Sequence, residues 1–368
     1  MRYSDYSFWK YLLLSSAAAV FMVAVGSMFV CGAANAESFE SRWELSEGYY
    51  TVVDEMGQEL LITGHIINIG DQFICEENRK FEVHQVRDRR AHVRFVERVD
   101  LSEASIKDKS GPGPLEKNIP AAFSQDEEKI DIGIYHTHSA ESYIPESNTH
   151  SVEGGGDILQ VGGELRDQLK NRGMNAEHDA TIHCPHDAGA YTRSRRTALA
   201  LARKQPGALF DVHRDTGPRG DYATEIDGED AARILLVVGR QNPNHEANSG
   251  FSKALKEAAD EQYPGLVKGI LLGQGDYNQD IGPRSLVLEV GSEEVTLQEA
   301  RNGVALLSDV IPEVLPEAGE RESYWSVWWL VSALLIGGGL FLYISTGSWE
   351  EAYKRLGQYL PRELGRPR

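Results

Sequence analysis

The sequence predicts an α/β fold in which an open sheet with flanking helices is preceded by a small β module. Short strands with alternating apolar residues occupy the first third of the chain, and apolar strands alternate with helical patterns after residue 129. Strands separated by helices are typical of a sheet covered on both faces. At 368 residues and 41% hydrophobic content, the chain can bury a sizeable core in about two domains.

Residues 1–36 are predicted to be a signal peptide or a membrane anchor. The run from Tyr11 to Ala36 carries no charge, follows Arg2 and Lys10, and ends in ANAES, which is typical of a signal-peptide cleavage site. The same run is longer than the roughly 20 apolar residues that span a bilayer, so an uncleaved anchor is the open alternative.

Residues 37–101 are predicted to form the small β module, and residues 102–128 a linker. The stretches YYTVV, ELLITGHIINIG, KFEVHQV and AHVRFVERV are rich in β-branched residues and alternate in polarity, which favours short antiparallel strands. The glycine, proline and charge content of KDKSGPGPLEKN indicates a linker, so a domain boundary is expected near residue 118.

Residues 129–316 are predicted to form the α/β domain. Its strands include KIDIGIY, ALFDV, RILLVV, VKGILLG and SLVLEV, with a short strand near Met174, and its last helix runs from about Thr296 to Val310. The first helix lies in DILQVGGELRDQLKNRG and stops at Gly173. Its apolar residues recur on one face: Ile158, Val161, Leu165 and Leu169.

Residues 324–345, YWSVWWLVSALLIGGGLFLYIS, are predicted to be a transmembrane helix. The segment is uncharged and carries Trp and Tyr at its ends, as interfacial side chains do. The tail, residues 346–368, is net basic, so it is expected to be cytoplasmic. The α/β domain is then expected to be extracytoplasmic at the cell membrane.

The formal net charge of −19 bears on the target of the exported region. Both ends of the chain are slightly basic, so the acidity lies between them, which argues against nucleic acid and anionic lipid as targets because phosphate contacts need clustered Lys and Arg. A neutral or zwitterionic polymer fits better. Acidity that merely keeps the domain soluble is an equally good interpretation.

Polar side chains follow several of the predicted strands. His138 and Glu141 come after the first strand, His213 lies in DVHRD, and Glu289 lies near the end of SLVLEV. Ligands bind beyond the carboxyl ends of strands in open α/β sheets. One tight loop can direct His138 and Glu141 at one ion, and His213 could supply the third ligand of a hydrolytic zinc site. Each histidine alone would more often be structural, but their common location favours a metal site.

Glu289 is flanked by apolar residues, so its carboxylate needs a cation or a strong donor nearby. Two interpretations stay open from the residues alone. Beside Zn²⁺ and a water molecule, Glu289 would carry the proton during hydrolysis. Alternatively, it forms a buried ion pair with an arginine such as Arg284 or Arg214.

Three further sequence features bear on the chemistry: a histidine-rich loop, a pair of cysteines and the absence of a serine nucleophile motif. The segment HDATIHCPHD holds His178, His183, Cys184 and His186, whose spacing matches no common zinc site, so a loop at the rim of the main site is the preferred interpretation. Cys75 and Cys184 could pair in an oxidising compartment, but their spacing matches no disulfide framework. The Gly-x-Ser-x-Gly elbow of a serine hydrolase is absent from the sequence.

Four ordered motifs resemble the stage II sporulation protein P family of cell-wall amidases: YHTHSAESY, AYTRSR, DVHRD and YNQDIGPRSLVLEVGSEEVTLQEA. The resemblance covers roughly residues 129–312. It implies a zinc amidase-like fold and an N-acetylmuramoyl-L-alanine amidase acting on peptidoglycan, with endopeptidase activity also attributed to the family. It implies a partnership with the stage II sporulation protein D transglycosylase during engulfment of the forespore.

By motif, the resemblance implies that His138 and His213 are zinc ligands and that Glu289 is the catalytic carboxylate. Glu141 matches the acidic residue of the first motif, and its role as third ligand is inferred from the loop. The second membrane span departs from the common form of the family. The rival interpretation is a non-catalytic wall-binding module that retains the amidase fold, and the presence of all four residues counts against it.

Overall fold

The computed structural model describes residues 43–45, 48–102, 129–187 and 189–315, and a few isolated positions after residue 331. The predicted signal or anchor segment, all but the first residue of the predicted linker, and most of residues 324–345 and 346–368 lie outside the described residues. Within the described part of the chain, no helix combines the length and the apolar character needed to cross a membrane.

The β module contains five strands whose alternate residues face a shared core. Val52, Leu61, Phe73 and Val93 are among the buried residues of that core. Most neighbours pair antiparallel as predicted, but β1 and β5 run parallel. The strands are β1 (Tyr50–Val53), β2 (Glu59–Thr63), β3 (Gln72–Cys75), β4 (Arg79–Arg87) and β5 (Arg90–Arg98).

The α/β region alternates strands and helices, as its periodicity predicts. Its strands are β6 (Ile132–Tyr135), β7 (Ala176–His178), β8 (Ala208–Asp215), β9 (Ala223–Ile226), β10 (Glu229–Ala232), β11 (Ile234–Gly239), β12 (Val267–Gly273) and β13 (Ser285–Ser292). Its helices are α1 (Ile144–Ser147), α2 (Ile158–Asn171), α3 (Ala190–Arg203), α4 (Arg219–Tyr222), α5 (His245–Gln262) and α6 (Leu297–Val314). The hairpin β9–β10 was not predicted, although its turn is an Asp-Gly pair with positive φ at both residues.

One mixed sheet joins the β module to the α/β region. Its strand order is β2-β1-β5-β4-β3-β12-β11-β13-β8-β6-β7. Strands β7, β6, β8 and β13 are mutually parallel, whereas β11 is antiparallel to β13 and β12 is antiparallel to β3. The β module is therefore continuous with the sheet that carries the predicted site, and the boundary expected near residue 118 lies outside the described residues.

The helices α2, α5 and α6 pack on one face of this sheet, and α3 packs on the other. Strand residues of one parity, such as Ile134 and Leu288, join the core that includes α2 and α6. Residues of the other parity, such as Leu209, join Ala198 and Leu201 of α3. Because side chains alternate between faces along a strand, parity decides which polar residues can meet.

Candidate metal centre

The parallel pairing of β6, β8 and β13 brings the predicted site residues to one edge of the sheet. His213 of β8 and Glu289 of β13 are register partners, and both point away from the face covered by α2 and α6. His138 follows β6, which pairs with β8 in parallel. The structure places these residues together beyond the carboxyl ends of the strands, and the His138 and His213 ring centroids are 5.0 Å apart.

A tight turn holds His138 and Glu141 together, as their spacing suggested. The Glu141 backbone N–H donates to the His138 carbonyl oxygen at 3.1 Å. Glu141 Oε1 lies 3.4 Å from His138 Nδ1 and 3.5 Å from His213 Nδ1. Two donors bound to one tetrahedral zinc ion at about 2.1 Å would be about 3.4 Å apart. Each of the two nitrogens thus lies at a distance from Glu141 Oε1 that suits two ligands of one ion, whereas His138 and His213 share no group of donor atoms that all lie within 4.8 Å of one another.

Both histidine nitrogens that face Glu141 are buried polar atoms without a satisfactory hydrogen bond. Nδ1 of His138 and Nδ1 of His213 make no hydrogen bond of acceptable geometry to any described residue, although Glu44 Oε2 lies 2.8 Å from the first and Glu141 Oε1 lies 3.4 and 3.5 Å from the two. Buried polar atoms are almost always satisfied in folded proteins, so such orphaned atoms need an explanation, and an absent ion is one. The donor set of two imidazoles and a carboxylate fits Zn²⁺.

Glu44 is a donor that the sequence did not suggest. The segment 43–45 pairs with residues 64–66, and this pairing carries Glu44 into the site. Glu44 Oε2 lies 2.8 Å from His138 Nδ1, and Glu44 Oε1 accepts a hydrogen bond from the Tyr191 hydroxyl at 2.8 Å. Trp43 packs against Tyr191 and Tyr277, with ring centroids 5.0 and 4.9 Å away.

Glu44 belongs to two overlapping groups of donor atoms within 4.8 Å of one another. The first also contains His138, Glu141 and His186, and the second also contains His213 and Glu289. His138 and His213 therefore fall in different groups. Glu141 Oε1 lies near both, at 3.4 Å from His138 Nδ1 and 3.5 Å from His213 Nδ1. His186, which the sequence placed in a rim loop, does line the cavity, and its ring stacks on that of His138 with centroids 4.1 Å apart.

The carboxylate of Asp211 lies beside the ring of His213. Its Oδ1 lies 2.9 Å from His213 Nε2, on the side of the ring opposite Nδ1. The Thr137 backbone N–H donates to the same oxygen at 2.7 Å. A carboxylate on the far nitrogen of a histidine is the usual means of orienting a metal-ligating imidazole. Burial alone would lower the pKa of His213, but the charges of Asp211 and Glu141 raise it well above the ordinary value.

Glu289 is buried next to a histidine. Its Oε1 lies 2.8 Å from Nε2 of His65, a residue of the β module. Arg214, considered as a partner from the sequence, donates instead to the carbonyl oxygen of His150. Burial raises the pKa of Glu289 to about 7, even though His65 opposes the shift. Such a carboxyl group exchanges protons readily near neutral pH.

The site opens into a cavity of about 470 Å³. The cavity wall combines several acidic groups with histidines and one arginine, and it therefore suits a polar substrate. Residues of the β module and of the α/β region both contribute to it. The lining includes Glu44, His65, Glu141, His150, Glu153, His186, Arg214, Asp215, Glu289 and Glu293.

His136 and His183 form hydrogen bonds away from the candidate metal centre, and both described cysteines are unpaired with each other. His136 has the opposite strand parity to the site, and its ring contacts Val212 O and His178. His183 is held by His136 O and the Thr197 hydroxyl. Cys75 and Cys184 are free thiols, so the pairing considered from the sequence does not form.

Of the residues missed from the sequence, Asp211 could have been found. It stands two positions before His213, and alternate residues of a strand share a face. Glu44 and His65 lie in segments without a catalytic pattern, and they reach the site only through the sheet that joins the two regions.

The chain matches one family model and is similar in sequence to one curated protein. The family model described as "Stage II sporulation protein P (SpoIIP)" matches residues 50–312. The stage II sporulation protein P of Bacillus subtilis (strain 168) is 30% identical over 210 residues, which cover 51% of this chain and 51% of that protein. The chain thus spans about half the length of this curated relative.

Solved structures with similarity to the chain include two amidases. The N-acetylmuramoyl-L-alanine amidase AmiC2 of Nostoc punctiforme is 11% identical, with a TM-score of 0.33 over 51% of this chain and 98% of that chain. The CwlD amidase of Clostridioides difficile, solved in complex with the GerS lipoprotein, is 11% identical, with a TM-score of 0.34 over 50% of this chain and 98% of that chain. Similarities of this extent do not by themselves assign an activity.

Proposed function

The chain belongs to the stage II sporulation protein P family, and from that premise we propose that it is a zinc-dependent peptidoglycan hydrolase. The proposed reaction is cleavage of the amide between the lactyl group of N-acetylmuramic acid and L-alanine. The observation that carries the proposal is the position of two buried histidine nitrogens, Nδ1 of His138 and Nδ1 of His213, at 3.4 and 3.5 Å from the same oxygen of Glu141.

His138, Glu141 and His213 would hold the ion. When bound there, zinc supplies a Lewis acid that polarises the scissile carbonyl and lowers the pKa of water. Three protein donors leave one coordination position for water or substrate, as a hydrolytic site requires. Glu44 Oε2 lies 2.8 Å from His138 Nδ1, and we assign Glu44 no role among the three ligands.

Glu289 would move the protons of the reaction. Glu289 lines the cavity, and its Oε2 has no hydrogen-bond partner among the described residues, so this oxygen could accept a proton from the attacking water. The protonated carboxyl group would then return the proton to the leaving amine of L-alanine. The products are a lactyl carboxylate on the glycan and a stem peptide with a free amino terminus.

The cellular setting is part of the proposal. We infer from the uncharged segment 324–345 and the basic tail that the hydrolase is tethered to the cell membrane with its catalytic region outside the cytoplasm. Family membership supports a role in sporulation, and engulfment together with a stage II sporulation protein D transglycosylase is the proposed context. A protease added to intact protoplasts should digest the hydrolase and spare a tag placed after Arg368, and loss of that tag would refute the orientation.

Metal content and hydrolysis test the chemistry together. The full-length chain, purified in mild detergent, is expected to bind about one zinc ion and to release stem peptides from isolated sacculi, and a chelator should abolish the release. His138→Ala and His213→Ala should lose the metal, whereas His84→Ala, at an exposed position of β4, should keep it. Variants at His138 and His213 that retain full zinc would contradict the ligand assignment.

The product identifies the bond that is cut. Stem peptides beginning with a free L-alanine amine, together with glycan strands bearing unsubstituted lactyl groups, are expected by mass spectrometry. Glu289→Gln should keep zinc and wall binding while hydrolysis falls about 10²-fold to 10⁴-fold. Wall binding by the parent without peptide release would instead support the non-catalytic binding module.

A further inference from the structure

The β module places a buried histidine directly against the proposed proton carrier. His65 and Glu289 are 1% and 2% exposed, and the atoms in contact are His65 Nε2 and Glu289 Oε1 at 2.8 Å. The other carboxylate oxygen, Oε2, has no hydrogen-bond partner among the described residues. Glu289 thus has one oxygen held by the β module and one oxygen free.

The loop that carries His65 is itself fixed to the α/β region. The Gly64 backbone N–H donates to Asp215 Oδ1 at 2.6 Å, and the Tyr222 hydroxyl donates to Asp215 Oδ2. Asp215 is the last residue of β8 and stands two positions after His213. The strand that supplies the proposed ligand therefore also holds the loop that supplies His65, and the relative positions of the two histidines are set by one element.

We propose that His65 is a positioning residue for Glu289, whose Nε2–H holds Oε1 so that Oε2 faces the reacting water. The inference rests on the proposed function, because the orientation of the carboxylate affects the rate only if Glu289 carries a proton. A carboxylate that is not held turns about its terminal bond, and a misplacement of about 1 Å can cost about 10²-fold in rate. The β module is then a component of the hydrolase site and not an accessory to it.

A direct role for His65 as a metal ligand is the main rival. Its Nδ1 lies 3.9 Å from Glu44 Oε1 and is buried without a hydrogen-bond partner among the described residues. A ligand role predicts that zinc is lost when the imidazole is removed. A positioning role predicts that zinc is kept, so metal content separates the two independently of activity.

The test compares two replacements of similar size in the full-length chain. His65→Gln keeps an N–H that can donate to Glu289 Oε1, whereas His65→Met has none. We expect His65→Met to lower kcat on sacculi or soluble muramyl peptide about 10-fold to 100-fold, with KM within about twofold and with zinc content and melting temperature preserved. His65→Gln should recover most of the rate, and His84→Ala should match the parent.

A double-mutant cycle with Glu289→Gln completes the test, because a residue that acts through Glu289 has little further effect once Glu289 is replaced. The double variant is therefore expected to be no slower than Glu289→Gln alone. Parental kcat in His65→Met, zinc loss in that variant, or additive effects in the double variant would each overturn the inference. Unchanged activity in Glu289→Gln would instead refute the proposed function, so the two failures are distinguishable.

Discussion

Replacing Asp211 tests whether the far side of His213 controls the metal site. Asp211 is 1% exposed. Its Oδ1 lies 2.9 Å from His213 Nε2 and accepts a hydrogen bond from the Thr137 backbone N–H at 2.7 Å. Its Oδ2 accepts the Thr137 hydroxyl hydrogen bond. Asparagine keeps an oxygen for the first two contacts and loses the charge, whereas alanine loses the acceptors as well.

The expected magnitudes follow from those contacts. Removing the partner of a metal-ligating histidine typically costs 10-fold to 100-fold in metal affinity, or about 1.4 to 2.7 kcal/mol. Asp211→Asn should fall near the lower end and Asp211→Ala near the upper end. Asp211→Ala should also lose about 1 to 3 kcal/mol of unfolding free energy, because the Thr137 N–H is left buried and unpaired.

Competition for zinc between the full-length chain and a chromogenic chelator measures the affinity, and thermal melting of the apo protein measures the stability. Asp309→Asn is the matched control, since this carboxylate pairs with Arg172, the residue that follows α2, away from the site. The affinity of the control should equal that of the parent. If Asp211→Ala held zinc as tightly as the parent, Asp211 would not orient a zinc ligand. That result would also count against His213 as a zinc ligand.

Three further outcomes are expected. Glu44→Ala should retain about one zinc per chain by metal analysis, whereas Glu141→Ala should lose it; the reverse pattern would exchange their roles. Burial raises the pKa of Asp71 from 3.8 to about 6, so the folded protein binds more protons between these values and loses stability as pH rises through the window. Asp71→Asn should therefore raise the unfolding free energy at pH 7 by up to about 3 kcal/mol and have little effect at pH 4, and a pH-independent change in chemical denaturation would contradict this. A Cβ at Gly156 would lie 2.0 Å from the Glu141 carbonyl oxygen, whereas one at Gly220 would meet nothing within 4 Å; Gly156→Ala should lower the melting temperature and zinc affinity, Gly220→Ala should change neither, and equal effects would rule out the clash as the cause.

Local pattern was enough to predict most elements of the α/β region, apart from the β9–β10 hairpin, and to bring His138 and Glu141 into one loop. The face formed by Ile158, Val161, Leu165 and Leu169 is buried as the 3.6-residue period required. His138 and Glu141 lie in one turn, so their proximity depends on the two residues between them and not on the fold. The position of His213 followed from a general rule about where parallel strands end.

The mixed direction of the sheet and the place of the β module were decided only by tertiary structure. An apolar run such as VKGILLG predicts a buried strand, but its side chains are compatible with parallel or antiparallel neighbours. The run therefore does not predict that β12 pairs with β3. That pairing brings the β module alongside the site.

The sequence by itself determined that histidines and carboxylates would lie at one edge of an α/β sheet. Each of these residues stands at the end of a strand, and strand ends can be predicted from the local pattern. The tertiary structure alone decided that His65, 224 positions from Glu289, and Glu44, from the segment before β1, would complete it. Contacts over such separations depend on which strand edges pair, and periodicity specifies a face for each side chain but not the partner that will meet it.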